Sequence, residues 1–124
     1  MLVPRILQEG HRVTVLDLMI YGEDVLPKNP ALTIIKGDIR NQELIKSSIQ
    51  GHDVVIHLAA QSHVDVSFQD PISTTISNVV GIHSLLAACI KKGVKKLVVM
   101  STDEVYGSTD EIVDVGLLDP ANPY

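Results

Sequence analysis

The stretch that decides the fold is Lys95-Lys-Leu-Val-Val-Met-Ser-Thr-Asp-Glu-Val-Tyr-Gly107. Two lysines lead into the apolar run Leu97–Met100, which breaks into Ser101, Thr102, Asp103 and Glu104. An apolar run this short, with two adjacent valines, predicts a strand buried on both faces, as in a parallel sheet. Ligands of open parallel sheets sit beyond the strands' carboxyl ends. The four polar residues therefore fall where chemistry would be done. Hydroxyls beside two carboxylates suit proton transfer to and from a sugar or similar polyol. The plainer alternative is that Asp103 and Glu104 cap the next turn.

Working back from that stretch, Ile72 to Lys92 reads as a long helix stopped by Gly93. Ile76, Val79, Val80, Leu85, Leu86 and Ile90 form its predicted apolar stripe. Gln61 to Pro71 is a polar loop. Before it, Val54–Leu58 is an apolar strand, followed by Ala59 and Ala60, small enough for a ligand to approach the backbone. A helix from Asn41 to Gln50 has Asn41 as its cap and Gly51 as its stop. Leu32–Lys36 and Val13–Asp17 are further strands, joined by a loop over Leu18–Pro30. Met1 to Glu9 has helical spacing and ends at Gly10. From Ser108 to Tyr124 the pattern dissolves into a surface loop. Strands alternating with helices predict an α/β fold with a parallel sheet.

The 124 residues suffice for one domain with a modest core. A net charge of −5 argues against nucleic acid or an anionic membrane as partner. No apolar run approaches the roughly 20 residues that cross a bilayer, and no signal peptide is visible, so a cytoplasmic location is expected. The single cysteine, Cys89, lies in an apolar helical context and is expected to be buried and inert. The five histidines lack metal-ligand spacing, so no metal site is expected. His57 reads as a core residue.

Two strand ends carry an acid. Asp17 stands where a dinucleotide fold places its ribose-binding carboxylate, although a strand-ending Asp also commonly caps a turn. Asp38 and Ile39 could offer one polar and one apolar contact to an adenine edge.

Taken together, several strings resemble the NAD-dependent epimerase/dehydratase family of extended short-chain dehydrogenase/reductases. They are Val15-Leu-Asp17, Gly37-Asp-Ile39, His57-Leu-Ala-Ala-Gln61, Asn78-Val-Val-Gly81, Ser101-Thr-Asp-Glu-Val-Tyr-Gly107 and Pro123-Tyr124, in the family's order. The acid pair, with Ala59-Ala-Gln-Ser-His-Val-Asp65 before it, looks most like the branch that dehydrates dTDP-glucose. The resemblance implies NAD as cofactor and a dTDP-glucose-like nucleotide sugar as substrate. It implies that Asp17 binds the adenosine ribose, that Asp38 and Ile39 hold adenine, and that Leu58, Ala59 and Ala60 line the cofactor path. Asn78 would support the site. Thr102 would bind the sugar hydroxyl being oxidised, with Tyr124 as the base. Asp103 would protonate the leaving 6-hydroxyl and Glu104 would take the C5 proton. A nucleotide-sugar 4-epimerase, a decarboxylase, and a non-catalytic α/β binding module stay open as alternatives.

Against the family pattern, the Gly-rich turn after a first strand, the lysine four residues past the tyrosine and the C-terminal substrate domain are missing. The expectation is an incomplete NAD-binding domain over residues 1–124. Its sheet would be a partial Rossmann-like parallel sheet with flanking helices, lacking the first strand. That strand would lie between those ending at Asp17 and Leu58. Without it, the two either expose unpaired backbone edges or close on each other. Such a chain is expected to be marginal and inactive alone. The resemblance also implies a homodimer in the intact protein.

Overall fold

The computed structural model describes residues 1–20, 22, 25–107 and 120. Tyr124 and, apart from Pro120, the loop predicted from Ser108 onward lie outside the described residues. The elements are α1 (Leu2–Gln8), β1 (Val13–Asp17), β2 (Leu32–Lys36), α2 (Gln42–Ser48) and β3 (Val54–His57). They continue with α3 (Val64–Gln69), α4 (Pro71–Thr75), a π-helical segment (Ile76–Val80), α5 (Gly81–Lys92), β4 (Lys96–Val99) and a 3₁₀ turn (Asp103–Tyr106).

The local signals act where the sequence puts them. Asn41 accepts the Leu44 N–H at 3.1 Å and starts α2. Asp70 does the same for Ser73 at 3.0 Å, with Pro71 in the first turn of α4, where its missing N–H costs nothing. Gly93 ends α5 with φ +71°, a left-handed backbone that a side chain would disfavour. One prediction fails here. The stretch predicted as a loop over Gln61–Pro71 holds α3, whose buried Ser67 bonds the Val64 carbonyl at 2.6 Å. Its six residues are too few and too polar to show a helical period.

β1 pairs in parallel with β2, Val13 opposite Leu32 and Asp17 opposite Lys36. β3 pairs in parallel with β4, Val54 opposite Lys96 and His57 opposite Val99. These are two separate two-stranded sheets. Among the described residues the free edges of β1 and β3 have no strand partner, so the first expected alternative holds and the edges do not close on each other.

One helical layer carries both sheets. Ile45 and Ile49 pack with Leu85, Ala88 and Cys89 to form the core. Leu16 from β1, and Val55 and Leu97 from β3 and β4, pack against that cluster. His52 Nε2 lies 2.9 Å from Thr14 Oγ1, tying the start of β3 to β1.

Two packing expectations are corrected. The strands are not buried on both faces: Ile34, Val54, Ile56, Val98 and Val99 are exposed. The α2–α5 layer covers one face, and α1, touching β1, is too short to cover the other. The long helix also turns a different side inward. Gly81, Leu85, Ala88 and Cys89 are buried, whereas Ile76, Val79, Val80, Leu86 and Ile90 are exposed. Apolar residues occur nearly all round this helix, so periodicity alone could not choose the phase. Its 22 residues from Pro71 to Lys92 are long and apolar enough to cross a membrane by length and composition. Here Leu85, Ala88 and Cys89 place it in the core.

Cys89 is buried as expected, and burial raises its thiol pKa, so it stays protonated. His57 is buried too, and burial pushes its imidazole pKa down from the ordinary value. The folded chain therefore keeps the ring neutral where the unfolded chain takes a proton. Stability is present above about pH 6.5 and falls as the pH drops through the lower folded value, by at most about 1.4 kcal/mol per pH unit. Urea melts between about pH 7 and 5 are expected to show a shallower loss for His57→Asn than for the unaltered chain. Equal slopes would place the proton uptake elsewhere.

Candidate active site

At the end of β1, Asp17 Oδ1 accepts the Met19 N–H at 2.6 Å. Met19 is buried with φ 54°, a left-handed conformation that costs a side-chain residue of order 1 kcal/mol or more. One carboxylate oxygen thus holds the turn. Among the described residues Oδ2 has no recorded hydrogen-bond partner. The turn is therefore held through Oδ1 alone.

The Gly37 N–H donates to the Asp17 carbonyl at 2.9 Å, which sets the end of β2 beside that of β1. Asp38 follows. Its Oδ1 takes the Arg40 backbone N–H at 2.8 Å and Nε at 3.0 Å; its Oδ2 takes Nε at 2.9 Å and Nη2 at 2.6 Å. These hydrogen bonds hold the Asp38 carboxyl below the usual carboxylate range. Ile39 then turns onto the long helix. A Cβ placed on Gly81 would come within 2.8 Å of Ile39 Cδ1, so Ile39 packs directly over this glycine.

The ends of β3 and β4 are joined in the same way, the Met100 N–H donating to the His57 carbonyl at 3.1 Å. Leu58 stands exposed at the end of β3, and Ala59, Ala60 and Gln61 lead away from it. Asn78 grips this segment with both ends of its amide. Its Oδ1 accepts the Gln61 N–H at 2.8 Å, and its Nδ2 donates to the Gln61 carbonyl at 3.0 Å. Asn78 lies within the π-helical segment, whose wider turn is common at functional sites. With its amide spent on Gln61, Asn78 positions the loop.

Past β4, Thr102 caps the 3₁₀ turn. Its Oγ1 accepts the Glu104 N–H at 3.2 Å and donates to Asp103 Oδ1 at 3.3 Å. The Thr102 hydroxyl caps this turn. Asp103 is exposed and Glu104 half-buried, both in the first turn.

The decisive geometry is the meeting of the two rims. Ile39, from the β1–β2 side, seats on Gly81. Gln61, from the β3–β4 side, is held by Asn78. Asn78 and Gly81 stand three positions apart on one continuous helix, so the segments following β2 and β3 meet the same turn. Arg40, Gly81 and Gln61 complete this arrangement; Gln61 and Gly81 stood in the matching strings without an assigned role, and Arg40 was not singled out from the sequence. A glycine inside an otherwise helical run was the visible signal for Gly81. Among the described residues no cluster of His, Cys, Asp and Glu could hold a metal ion.

Residues 2–124 match the family model of GDP-mannose 4,6 dehydratase. The chain belongs to the NAD-dependent epimerase/dehydratase family. A dTDP-glucose 4,6-dehydratase of Streptomyces antibioticus is 41% identical over 100 residues, which cover 79% of this chain and 30% of that enzyme. A trifunctional UDP-glucose 4,6-dehydratase, epimerase and reductase of Arabidopsis thaliana is 38% identical over 92% of this chain and 19% of its own length. The crystal structure of the dTDP-glucose 4,6-dehydratase of Streptomyces venezuelae, solved with NAD and TYD bound, superposes with a TM-score of 0.87 at 35% identity. That alignment covers 98% of this chain and 42% of that one. A UDP-glucose 4-epimerase of Thermotoga maritima, solved with UDP-glucose, gives 0.86 at 29% identity. The chain thus spans less than half the length of these family members. The family is a Rossmann-like one, and nearly the whole of this chain superposes on part of its solved members.

Proposed function

We propose that this chain forms the dinucleotide-facing part of a nucleotide-sugar 4,6-dehydratase. The observation that carries the reading is the convergence of Ile39 and Gln61 on the turn between Asn78 and Gly81. The adenosine end of NAD suits the groups present. Asp17 Oδ2 accepts from ribose hydroxyls, Asp38 offers a carboxylate to the adenine edge, and Ile39 supplies an apolar wall. Leu58, Ala59 and Ala60 border the path toward Thr102. When bound there, NAD would supply a hydride acceptor for C4 of the sugar and the hydride for its later reduction.

The protein's own part is proton management. Thr102 orients the C4 hydroxyl and Tyr124 takes its proton. The C4 carbonyl so formed acidifies the proton at C5. Glu104 removes that proton while Asp103 protonates the 6-hydroxyl, which leaves as water. An epimerase has no need of this acid pair, and the pair favours dehydration over the epimerase reading that the structural likeness alone would also serve. A dTDP-glucose-like substrate follows from the relatives. A homodimer belongs to the same proposal and is supported by the exposed apolar row Ile72, Ile76, Val79, Leu86 and Ile90 on the long helix. So does a cytoplasmic setting, with which the buried, protonated Cys89 is compatible.

Amide chemical-shift mapping with NAD tests the reading. The largest changes are expected at Asp17, Asp38, Ile39, Ala59 and Ala60. A map confined to the outer faces of α2 and α5 would reject it.

The Asn78 grip gives a second expectation. In Asn78→Asp, one carboxylate oxygen would face the Gln61 carbonyl, an acceptor against an acceptor. A loss of about 1–3 kcal/mol is expected at neutral pH. It should shrink as the pH falls and the new carboxyl takes a proton that it can donate. Denaturant melts at two pH values would show it.

A further inference from the structure

We infer that the groove between α2 and α5 is a binding site for a compact oxyanion of the phosphate class, held by Lys46 and Lys91. The groove is lined by those two helices alone and by none of the strand ends, so the inference does not rest on the dinucleotide reading. Its volume is about 230 Å³. Pockets for drug-sized ligands run to roughly 300–1,000 Å³. A dinucleotide is too large for this space, and a phosphate group is not.

The lining is a set of donors. Gln42 and Lys46 come from α2; His83, Ser84 and Lys91 come from α5. Gln42 and Lys46 stand four positions apart, and His83 and Lys91 eight apart, so each pair shares one face of its helix. Between them Ala88 is buried and carries only a methyl group, which leaves the groove open. The lining contains two ammonium groups and no carboxylate, on a chain whose net charge is −5. With acids in excess, a surface lysine readily finds one. Among the described residues the side chains of Lys91, Gln42, His83 and Ser84 nevertheless make no hydrogen bond or ion pair.

Lys46 is partnered, and its partner behaves as a competitor. Its Nζ meets Glu43 Oε1 at 2.5 Å, with the Lys46 side chain 32% exposed and that of Glu43 85% exposed. Glu43 thus approaches the ammonium from the solvent side. The Glu43 carboxyl is held below the usual range, by Lys46 first and then by the charges of Lys91 and Lys92. The field of three lysines therefore reaches one anionic group beside the groove. An oxyanion entering the groove meets the same field and displaces Glu43 from Lys46.

Inorganic phosphate and glycerol 1-phosphate are titrated against the chain at constant ionic strength, with chloride as reference anion, and amide chemical shifts are followed. Saturable changes are expected at Lys46, Ser84 and Ala88. Exposed ion pairs are weak, so Lys46→Gln and Lys91→Gln should each loosen phosphate by about two- to fivefold. Glu43→Gln frees Lys46 and should tighten phosphate by a similar factor. Lys96→Gln removes the same charge at the start of β4, outside the groove, and should leave the affinity unchanged. Saturation by either probe supports the site: tighter free phosphate marks a bare ion as the occupant, and a tighter ester marks a carried phosphate group. Equal loosening by Lys96→Gln and Lys91→Gln would reduce the effect to net charge and overturn the inference. Changes that chloride reproduces, or that never saturate, overturn it as well, as does weaker binding in Glu43→Gln. Absence of NAD-induced shifts at the strand ends would bear on the dinucleotide reading alone.

Discussion

Glu104→Gln is expected to lower dehydration of dTDP-glucose by about 10²- to 10⁴-fold in the active enzyme, the usual worth of a positioned general base. The substitution is nearly isosteric. Its backbone N–H keeps the bond to Thr102 Oγ1, so the 3₁₀ turn and the placement of Asp103 should persist. On the proposed mechanism, what is lost is the ability to accept the C5 proton. On the proposed roles, oxidation at C4 would rely on Thr102 and Tyr124 and should continue. The signature is therefore a split: deuterium from solvent no longer enters C5, while hydride still leaves C4. Asp103→Asn should give the complementary pattern, with exchange at C5 retained and departure of the 6-hydroxyl slowed. Loss of both oxidation and exchange in Glu104→Gln would show that the residue acts elsewhere in the cycle.

Ile45→Ala is expected to destabilise the chain by about 2–5 kcal/mol. Ile45 is fully buried, at 0% exposure, and sits where α2 meets α5. Ile45 belongs to the cluster against which both pairs lean, through Leu16 on one side and Val55 and Leu97 on the other. A domain has only about 5–15 kcal/mol to lose, and the unpaired edges of β1 and β3 forgo a ladder of backbone hydrogen bonds. The expected result is loss of a cooperative thermal transition near ambient temperature. A sharp two-state melt in Ile45→Ala would mean that the sheets are held together by something other than this layer.

Much of the fold was legible because short-range rules set it. Val13–Asp17 and Leu32–Lys36 are apolar runs closed by a charged residue, and they form strands over those limits. Asn41 and Gly93 act as cap and stop. The break between the two strand pairs was also readable, since no apolar run in the chain could fill it. What the letters hid was orientation. The helix from Pro71 to Lys92 is apolar on several sides, and the buried side is chosen by Ile45 and Ile49, far off in sequence. The π-helical segment shifts the phase further, and nothing in Ile76-Ser-Asn-Val-Val80 announces it. The acids at Asp17, Asp38, Asp103 and Glu104 were visible as candidates from strand ends alone. Their partners were not, because Arg40 reaches back on Asp38 through a turn whose geometry only coordinates reveal.

Each strand pair is continuous in the sequence, β1 and β2 before residue 37 and β3 and β4 after residue 53. A ribosome therefore delivers the first pair whole, together with α2, before it begins the second. Yet Ile49 waits for Leu85, 36 positions later. At about 5–20 residues per second, the oily side of that nascent unit stays bare for roughly two to seven seconds, long enough for a chaperone to find it before its own helix does.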